Sequence, residues 1–283
     1  MGRIEDAIQK VQSARRRQAA ETGAMTTASS RLASVVPREH EYAGKRVVID
    51  VAELAKNGLL APGPEDRRLA EQYRVIKRPL LRNANANPPL ARGNLLMVAS
   101  ALAGEGKTFT CVNLCLSIAR ERDWDVVLVD ADCSKPHLTR LFSAEREPGL
   151  IDLLRDPRLS FDSVVMPTDV AGLSLVPAGS RDEHASELLA SKRMDELCAE
   201  LAKASGRMVV FDSSPLLSTT EAAALALHVG QIAVVVRANA TPQQAVLAAL
   251  GKLDPSKAIS CVLNQTYGSD SGMEYGDYYD SGE

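Results

Sequence analysis

A chain of 283 residues that is 45% hydrophobic and 24% charged can bury a full α/β core, which excludes a disordered or fibrous protein. A net charge of −3 gives no global push toward polyanions, although local arginine runs are read separately, and no nucleic-acid partner is expected. Five cysteines without a C-x-x-C pair, and no apolar run of membrane-spanning length, fit a reduced, cytoplasmic protein rather than a disulfide scaffold.

In chain order, Ile4, Ala7, Ile8, Val11 and Ala14 fall at helical spacing ahead of Arg15, Arg16 and Arg17, which predicts a short amphipathic helix. Residues 21–44 turn small and polar, the composition of a linker. The stretch KRVVIDV, from Lys45 to Val51, is strand-like, and GLLAPGP from Gly58 to Pro64 punctuates the chain before a helix. That helix is expected from Glu65 to Leu81, with Leu69, Tyr73, Ile76 and Leu80 on its apolar stripe and Glu71, Arg74 and Lys77 on a polar face. On spacing alone the polar face is a solvated one with intrahelical pairs.

Residues 95–113 read as a strand, a loop and a helix start. Ala101 to Thr108, A-L-A-G-E-G-K-T, is one substitution from the phosphate-loop pattern G-x-x-x-x-G-K-S/T, with alanine in place of the first glycine. Gly104 and Gly106 let backbone N–H groups converge on an anion, and the following helix start adds its own free N–H groups. Lys107 is then the group for the β- and γ-phosphates of ATP, and the Thr108 hydroxyl a ligand for Mg²⁺. Ala103, Glu105 and Phe109 belong to the same cradle. Cys111 and Cys115, four apart on that helix, have no third ligand nearby and are read as core.

The run DVVLVDADCSKP, from Asp125, is a buried strand that delivers Asp130 and Asp132 to its carboxyl end, where ligands gather in an open α/β sheet. Helix starts are expected at 149–154 and 186–191, a strand from Leu173 to Val176, and a helix from Ser191 to Lys203. The strand from Arg207 to Phe211 hands Asp212 to the loop SSP, the pattern of a Walker-B carboxylate. Ile232 to Val236, Thr241 to Leu250 and Ala258 to Leu263 add strand, helix and strand, ending at Asn264. Repeated β-then-α order predicts a mostly parallel central sheet flanked by helices. His137, His184 and His228 share no ligand spacing and are read as structural. The last stretch, from Gln265 to Glu283, has no basic residue and holds Tyr267, Tyr275, Tyr278 and Tyr279, a composition that cannot fold alone and that offers tyrosines for modification.

Together AGEGKT, VLVDAD, VVFDSSP, SELLAS, VLNQ and the tyrosine tail resemble the bacterial tyrosine kinases, the P-loop autokinases of exopolysaccharide export, in their cytoplasmic, exosortase-associated form. The resemblance implies a P-loop NTPase fold of the deviant-Walker, MinD/ParA-like kind and an ATP- and Mg²⁺-dependent protein-tyrosine autokinase. It makes Asp130 the base toward the tyrosine hydroxyl, Asp132 and Asp212 organisers of the metal alongside Thr108, and Asn264 the reader of adenine. It also implies a ring of subunits joined through Glu71, Arg74 and Lys77. The acceptors would be tail tyrosines of a neighbour, and the partner a membrane-embedded polysaccharide copolymerase that recruits the chain to the inner face of the cell membrane. The expected division is 1–44 helix and linker, 45–94 oligomerisation extension, 95–264 kinase domain and 265–283 tail. Three positions depart from the pattern: Ala101, Ser134 where many relatives have arginine, with Lys135 as a substitute, and Lys77 where the ring motif ends in arginine. Two rivals stand beside this reading, a partitioning or division-site ATPase and a non-catalytic nucleotide-gated assembly module. The ATPase class carries a lysine five residues before the P-loop lysine, and Leu102 stands there.

Overall fold

A computed structural model describes residues 45–50, 54 and 67–266. The expected N-terminal helix and linker, the 58–64 punctuation and the four tail tyrosines lie outside the described residues.

The described chain builds a seven-stranded sheet from β1 (Leu95–Ser100), β2 (Asp125–Ala131), β3 (Met166–Pro167), β4 (Leu173–Val176), β5 (Arg207–Ser213), β6 (Gln231–Arg237) and β7 (Ala258–Asn264). Spatial order is β3-β4-β2-β5-β1-β6-β7, parallel throughout except for the antiparallel β3–β4 pair. Helices are α1 (Arg67–Ala84), α2 (Lys107–Ile118), α3 (His137–Leu141), α4 (Leu150–Arg155), α5 (Phe161–Val164), α6 (Ala185–Leu189), α7 (Lys192–Leu201), α8 (Glu221–Ala226) and α9 (Gln243–Leu250).

Strands β1, β2 and β5 are near-continuous apolar runs because both of their faces are covered. Leu95, Met97, Val127, Val129, Val209 and Phe211 face one core with α4, α7 and α8. Their alternates Leu96, Val98, Val126, Leu128, Met208 and Val210 face another with α1 and α2. Helix α2 buries nine of its twelve residues, Cys111 and Cys115 among them, since it lies between the sheet and α1. Helix α1 packs on it through Tyr73 and Leu80, so the expected apolar stripe does meet the core.

Differences from expectation have local causes. The KRVVIDV stretch alternates as a strand does, with Val47 and Ile49 buried and Val48 exposed, but it forms a single bridge, Val47 to Thr168, beside the two-residue β3. Helix α8, EAAALA, carries no amphipathic stripe to read. Helices α3 and α5 are only five and four residues long. Helix α7 begins one residue after the expected start because Ser191 is its cap, accepting the Met194 N–H at 3.3 Å.

Candidate active site

β1 ends at Ser100, and the chain turns through 101–106 before entering α2 at Lys107. Gly104 has φ 80° and Gly106 φ 93°, left-handed values that a side chain would strain. A Cβ on Gly106 would also collide with the Asn264 amide, whereas Gly104 faces open space. Ala101 needs no such freedom: it is fully buried, and its carbonyl accepts the Leu217 N–H at 3.2 Å. Glu105 is 2% exposed and fixed on both sides of its carboxylate, by the Leu102 N–H at 2.6 Å and by the Thr241 hydroxyl. Its carbonyl accepts from Asn264 Nδ2 at 2.9 Å, so the loop, the end of β7 and the turn before α9 are tied together. Thr241 escaped sequence reading, because its role depends on a contact 136 residues away.

Lys107 is 8% exposed yet makes no hydrogen bond or ion pair with the described residues. Its Nζ is not sealed from solvent, and a phosphate at the loop would give it a partner. The Thr108 hydroxyl donates to Asp212 Oδ2 at 2.7 Å, and Cys111 Sγ lies 3.5 Å from Asp212 Oδ1. Asp212 in turn sits in register with Asp130 on the neighbouring strand. Burial is the main reason both carboxyls rise, Asp212 to about 6 and Asp130 to about 7. The Thr108 hydrogen bond and the Lys107 charge hold Asp212 down, while the Asp212 charge lifts Asp130 further.

Thr139, from the short α3, gives Asp130 Oδ2 both its N–H at 2.8 Å and its hydroxyl at 2.7 Å. That hydroxyl also accepts the Ala178 N–H at 2.9 Å, so Thr139 braces Asp130 against the loop after β4. No spacing in the sequence announces this residue. Asp132 is half-buried, and its Oδ1 accepts the Ser134 hydroxyl at 2.9 Å and the Lys135 N–H at 3.1 Å. Lys135 thus contributes backbone here, and its side chain is exposed.

The fold therefore brings Gly104, Gly106, Lys107, Thr108, Asp130, Asp132, Asp212 and Asn264 to the carboxyl ends of β1, β2, β5 and β7. Phe109 turns its ring toward Tyr73 of α1, with centroids 6.4 Å apart, which leaves only its backbone for the cradle. Ala103 is an exposed loop position. The expected face of Glu71, Arg74 and Lys77 is corrected. Glu71 and Arg74 are exposed and paired with each other, but Lys77 is 5% exposed and turns inward, to Ser117 O at 2.6 Å and Glu121 Oε1 at 2.6 Å. A lysine stem long enough to reach past α2 to its C-terminal carbonyls gains both a dipole and a carboxylate partner there. His228 is buried with Nδ1 3.4 Å from Asp195 Oδ1, while His137 and His184 are exposed.

No group of three or more His, Cys, Asp or Glu among the described residues forms an all-protein metal cage. Mg²⁺ bound with a nucleotide keeps its waters and takes few protein ligands. The unpartnered Lys107 and the Thr108–Asp212 pair fit such an ion and its phosphates.

A mostly parallel sheet with a glycine-bent phosphate loop after a central strand, and carboxylates at the ends of the next two strands on one side of it, defines a P-loop nucleotide-binding α/β protein. The family described as the CobQ/CobB/MinD/ParA nucleotide binding domain matches residues 96–275, and the chain belongs to it. The expected kinship with bacterial tyrosine kinases is borne out among its relatives. The chain is 31% identical to the tyrosine-protein kinase wzc of Salmonella typhi over 67% of its own length and 26% of the relative's. It is 34% identical to the tyrosine-protein kinase YwqD of Bacillus subtilis strain 168, over 54% of this chain and 62% of that one. It therefore spans about a quarter of the first and under two thirds of the second. Among solved structures, the VpsO kinase domain superposes with a TM-score of 0.60 at 29% identity, covering 72% of this chain and 98% of that one.

Proposed function

We propose that the chain is an ATP- and Mg²⁺-dependent protein-tyrosine autokinase whose acceptors are Tyr267, Tyr275, Tyr278 and Tyr279 of a neighbouring copy. The observation that carries this reading is Asp130, a carboxylate pushed up to about 7 and in register with the Asp212 that holds Thr108. A proton acceptor poised near neutrality is what a tyrosine hydroxyl needs from a base. The tyrosine kinases among the relatives support the same reaction class.

In this reading the backbone N–H groups of 103–109 and the Lys107 ammonium hold the β- and γ-phosphates, and Asn264 contacts the adenine. Mg²⁺ would be held by Thr108, with Asp130, Asp132 and Asp212 arranging its waters, and supplies charge neutralisation at the phosphates. The tyrosine oxygen attacks the γ-phosphorus, the bond from that phosphorus to the bridging oxygen breaks, ADP leaves, and the phenolic proton passes to Asp130. Thr139 keeps the Asp130 carboxylate oriented, and Lys107 offsets the charge on the transferred group. The membrane copolymerase partner, recruitment to the inner membrane face, control of exopolysaccharide synthesis and a ring joined through Glu71 and Arg74 belong to the same proposal. Among the described residues no helix is long and apolar enough to cross a membrane.

The test mixes full-length Lys107→Met protein with full-length protein carrying Phe at positions 267, 275, 278 and 279. Labelled phosphate from ATP is expected on tail tyrosines of the Lys107→Met chain. No label there, with wild type labelling itself at a rate independent of its concentration, would mean transfer within one chain. No phosphotyrosine on any chain, wild type included, would return the protein to an ATPase or assembly module.

A further inference from the structure

The phosphate loop from Ala101 to Thr108 carries one acidic side chain, Glu105, and an acid beside a polyphosphate works against binding unless its charge is engaged elsewhere. Glu105 is buried, and each oxygen of its carboxylate has its own donor. Oε2 accepts the Leu102 N–H at 2.6 Å, and Oε1 accepts the Thr241 hydroxyl. Thr241 lies in the turn between β6 and α9. Its hydroxyl oxygen also accepts the Arg237 N–H at 3.1 Å, while its own N–H donates to the Arg237 carbonyl at 3.1 Å. The turn is thus wound around the Thr241 hydroxyl, and the hydroxyl proton is committed to the phosphate loop.

A second connection runs from the same loop residue to the same turn. The Glu105 carbonyl accepts from Asn264 Nδ2 at 2.9 Å, and the Asn264 carbonyl accepts the Ala238 N–H at 2.9 Å. Asn264 Oδ1 takes the Gln265 N–H at 2.9 Å, so the network fixes which end of the amide is which and leaves one amide hydrogen over. With no Cβ on Gly106, this amide can sit directly against the loop. Glu105, Thr241, residues 237–238 and Asn264 therefore close a ring of hydrogen bonds, joining Glu105 to residues 136 and 159 positions further along the chain. One side of the ring is the phosphate loop; the other is the residue proposed for the adenine.

We infer that Thr241 is a positioning residue that couples base recognition to phosphate binding: through Glu105 it holds the phosphate loop and Asn264 in one register, so that adenine and triphosphate seat together. This deepens the ATP reading of the site and rests on it. A carboxylate serves at position 105 because both of its partners are donors. Glutamine could still accept the Leu102 N–H, but it would turn its NH₂ toward a hydroxyl whose proton then had no acceptor. The Leu102 bond lies within the loop itself, so losing the Thr241 hydroxyl leaves the phosphate cradle closed and frees it from the base end. The contact therefore matters to a ligand that spans both ends, for which a fixed spacing makes the second contact an intramolecular one.

The probes are MgATP and magnesium tripolyphosphate, which has the phosphates and no base, each titrated by calorimetry into full-length protein. The ratio of their dissociation constants is the adenine advantage. Thr241→Val removes the hydroxyl at nearly constant shape and is expected to cut that advantage about tenfold, while tripolyphosphate binding stays within about twofold. Thr241→Ser should restore most of it. Glu105→Gln should show the same loss, and the double variant no more than either single one, as two ends of one bond require. In phosphate transfer the KM for ATP of Thr241→Val should rise about tenfold with kcat within about twofold, a split that a loosened fold would not give. No adenine advantage in wild type, an unchanged advantage in Thr241→Val, equal weakening of both ligands, or additive losses in the double variant each overturns the coupling. Because calorimetry needs no transfer, coupled binding without phosphotyrosine would support Thr241 while sinking the kinase reading, and a wild type that binds neither ligand would sink both.

Discussion

At the carboxyl ends of the strands Lys107, Asp130 and Asp212 are buried; Lys107 makes no hydrogen bond or ion pair among the described residues, and burial lifts both carboxyls toward neutrality. At the amino ends Asn94 and Gln231 are buried as deeply, and their side-chain amides donate to backbone carbonyls. Asn94 Nδ2 donates to the carbonyls of Leu201, Ala204 and Arg207 at 3.0, 3.3 and 3.1 Å. Gln231 donates to the carbonyls of Leu80 and Gly93 and accepts from Asn83 Nδ2 at 2.9 Å. One end uses buried polarity to join α1, β1, β5 and β6, and its cost is offset within the chain. The other end keeps its charges without such partners among the described residues, and under the proposed function the phosphates of the nucleotide complete it.

If that contrast is correct, substitutions at the two ends fail differently. Lys107→Met should lower transfer about 10³-fold and leave the melting temperature nearly unchanged, because no protein hydrogen bond is lost. A cooperative melt beside full activity would remove Lys107 from the site. Asp130→Asn should lower transfer about 10²-fold at neutral pH while keeping most nucleotide binding, since an amide cannot accept the tyrosine proton. Near wild-type turnover would make another group the base. At the opposite end Gln231→Ala should cost about 2–3 kcal/mol in denaturant unfolding, with kcat unchanged in whatever fraction stays folded, because the carbonyls it served lose their donor. A stability loss below about 0.5 kcal/mol would show that these bonds are not what joins α1 to the sheet.

A smaller effect follows from pH. Burial pushes the folded Asp130 and Asp212 carboxyls up to about 7 and about 6, above the usual carboxylate value near 3.8 expected in the unfolded chain, so between these limits the folded chain binds more protons. Their contribution to stability is therefore full below about pH 4 and is lost as pH rises through 6 and 7. Transfer has the opposite slope, since the base must be ionised, and should fall below about pH 7. Melting of nucleotide-free protein between pH 5.5 and 8, beside the same scan of Asp130→Asn, checks the first slope; the variant's curve should be flatter. Equal slopes in the two proteins would place the proton elsewhere.

Sequence carried the active end further than the structural end. The phosphate loop, both aspartate strands and Asn264 sit on contiguous patterns, because close approach to a phosphate demands glycine and a strand end must deliver its carboxylate directly. The supports of those groups were not legible. Thr139 reaches Asp130 from a five-residue helix, and Thr241 reaches Glu105 from the turn after β6, 136 residues along the chain. Lys77 was misread for a related reason: three-residue steps place it near Glu71 and Arg74, but a period of 3.6 drifts, and by Lys77 the side chain already faces α2. Short elements such as α8, with alanine on every face, give periodicity nothing to register.

The smallest expected effect belongs to α1 and separates its two kinds of charge. Glu71 and Arg74 are exposed, one turn apart and, among the described residues, paired with each other, so removing both should change monomer stability by no more than about 0.5 kcal/mol. Lys77→Ala strips a partner from Glu121 and from the Ser117 carbonyl and should cost about 1–2 kcal/mol. Assembly should rank them the other way. If a ring forms through this helix, the Glu71→Ala, Arg74→Ala protein with MgATP should scatter light as a smaller particle at unchanged melting temperature. Lys77→Ala should melt earlier but assemble whenever it is folded, since its ammonium already serves its own chain. A double variant that assembles like wild type would return Glu71 and Arg74 to an ordinary solvated pair, and the ring, if there is one, to another face.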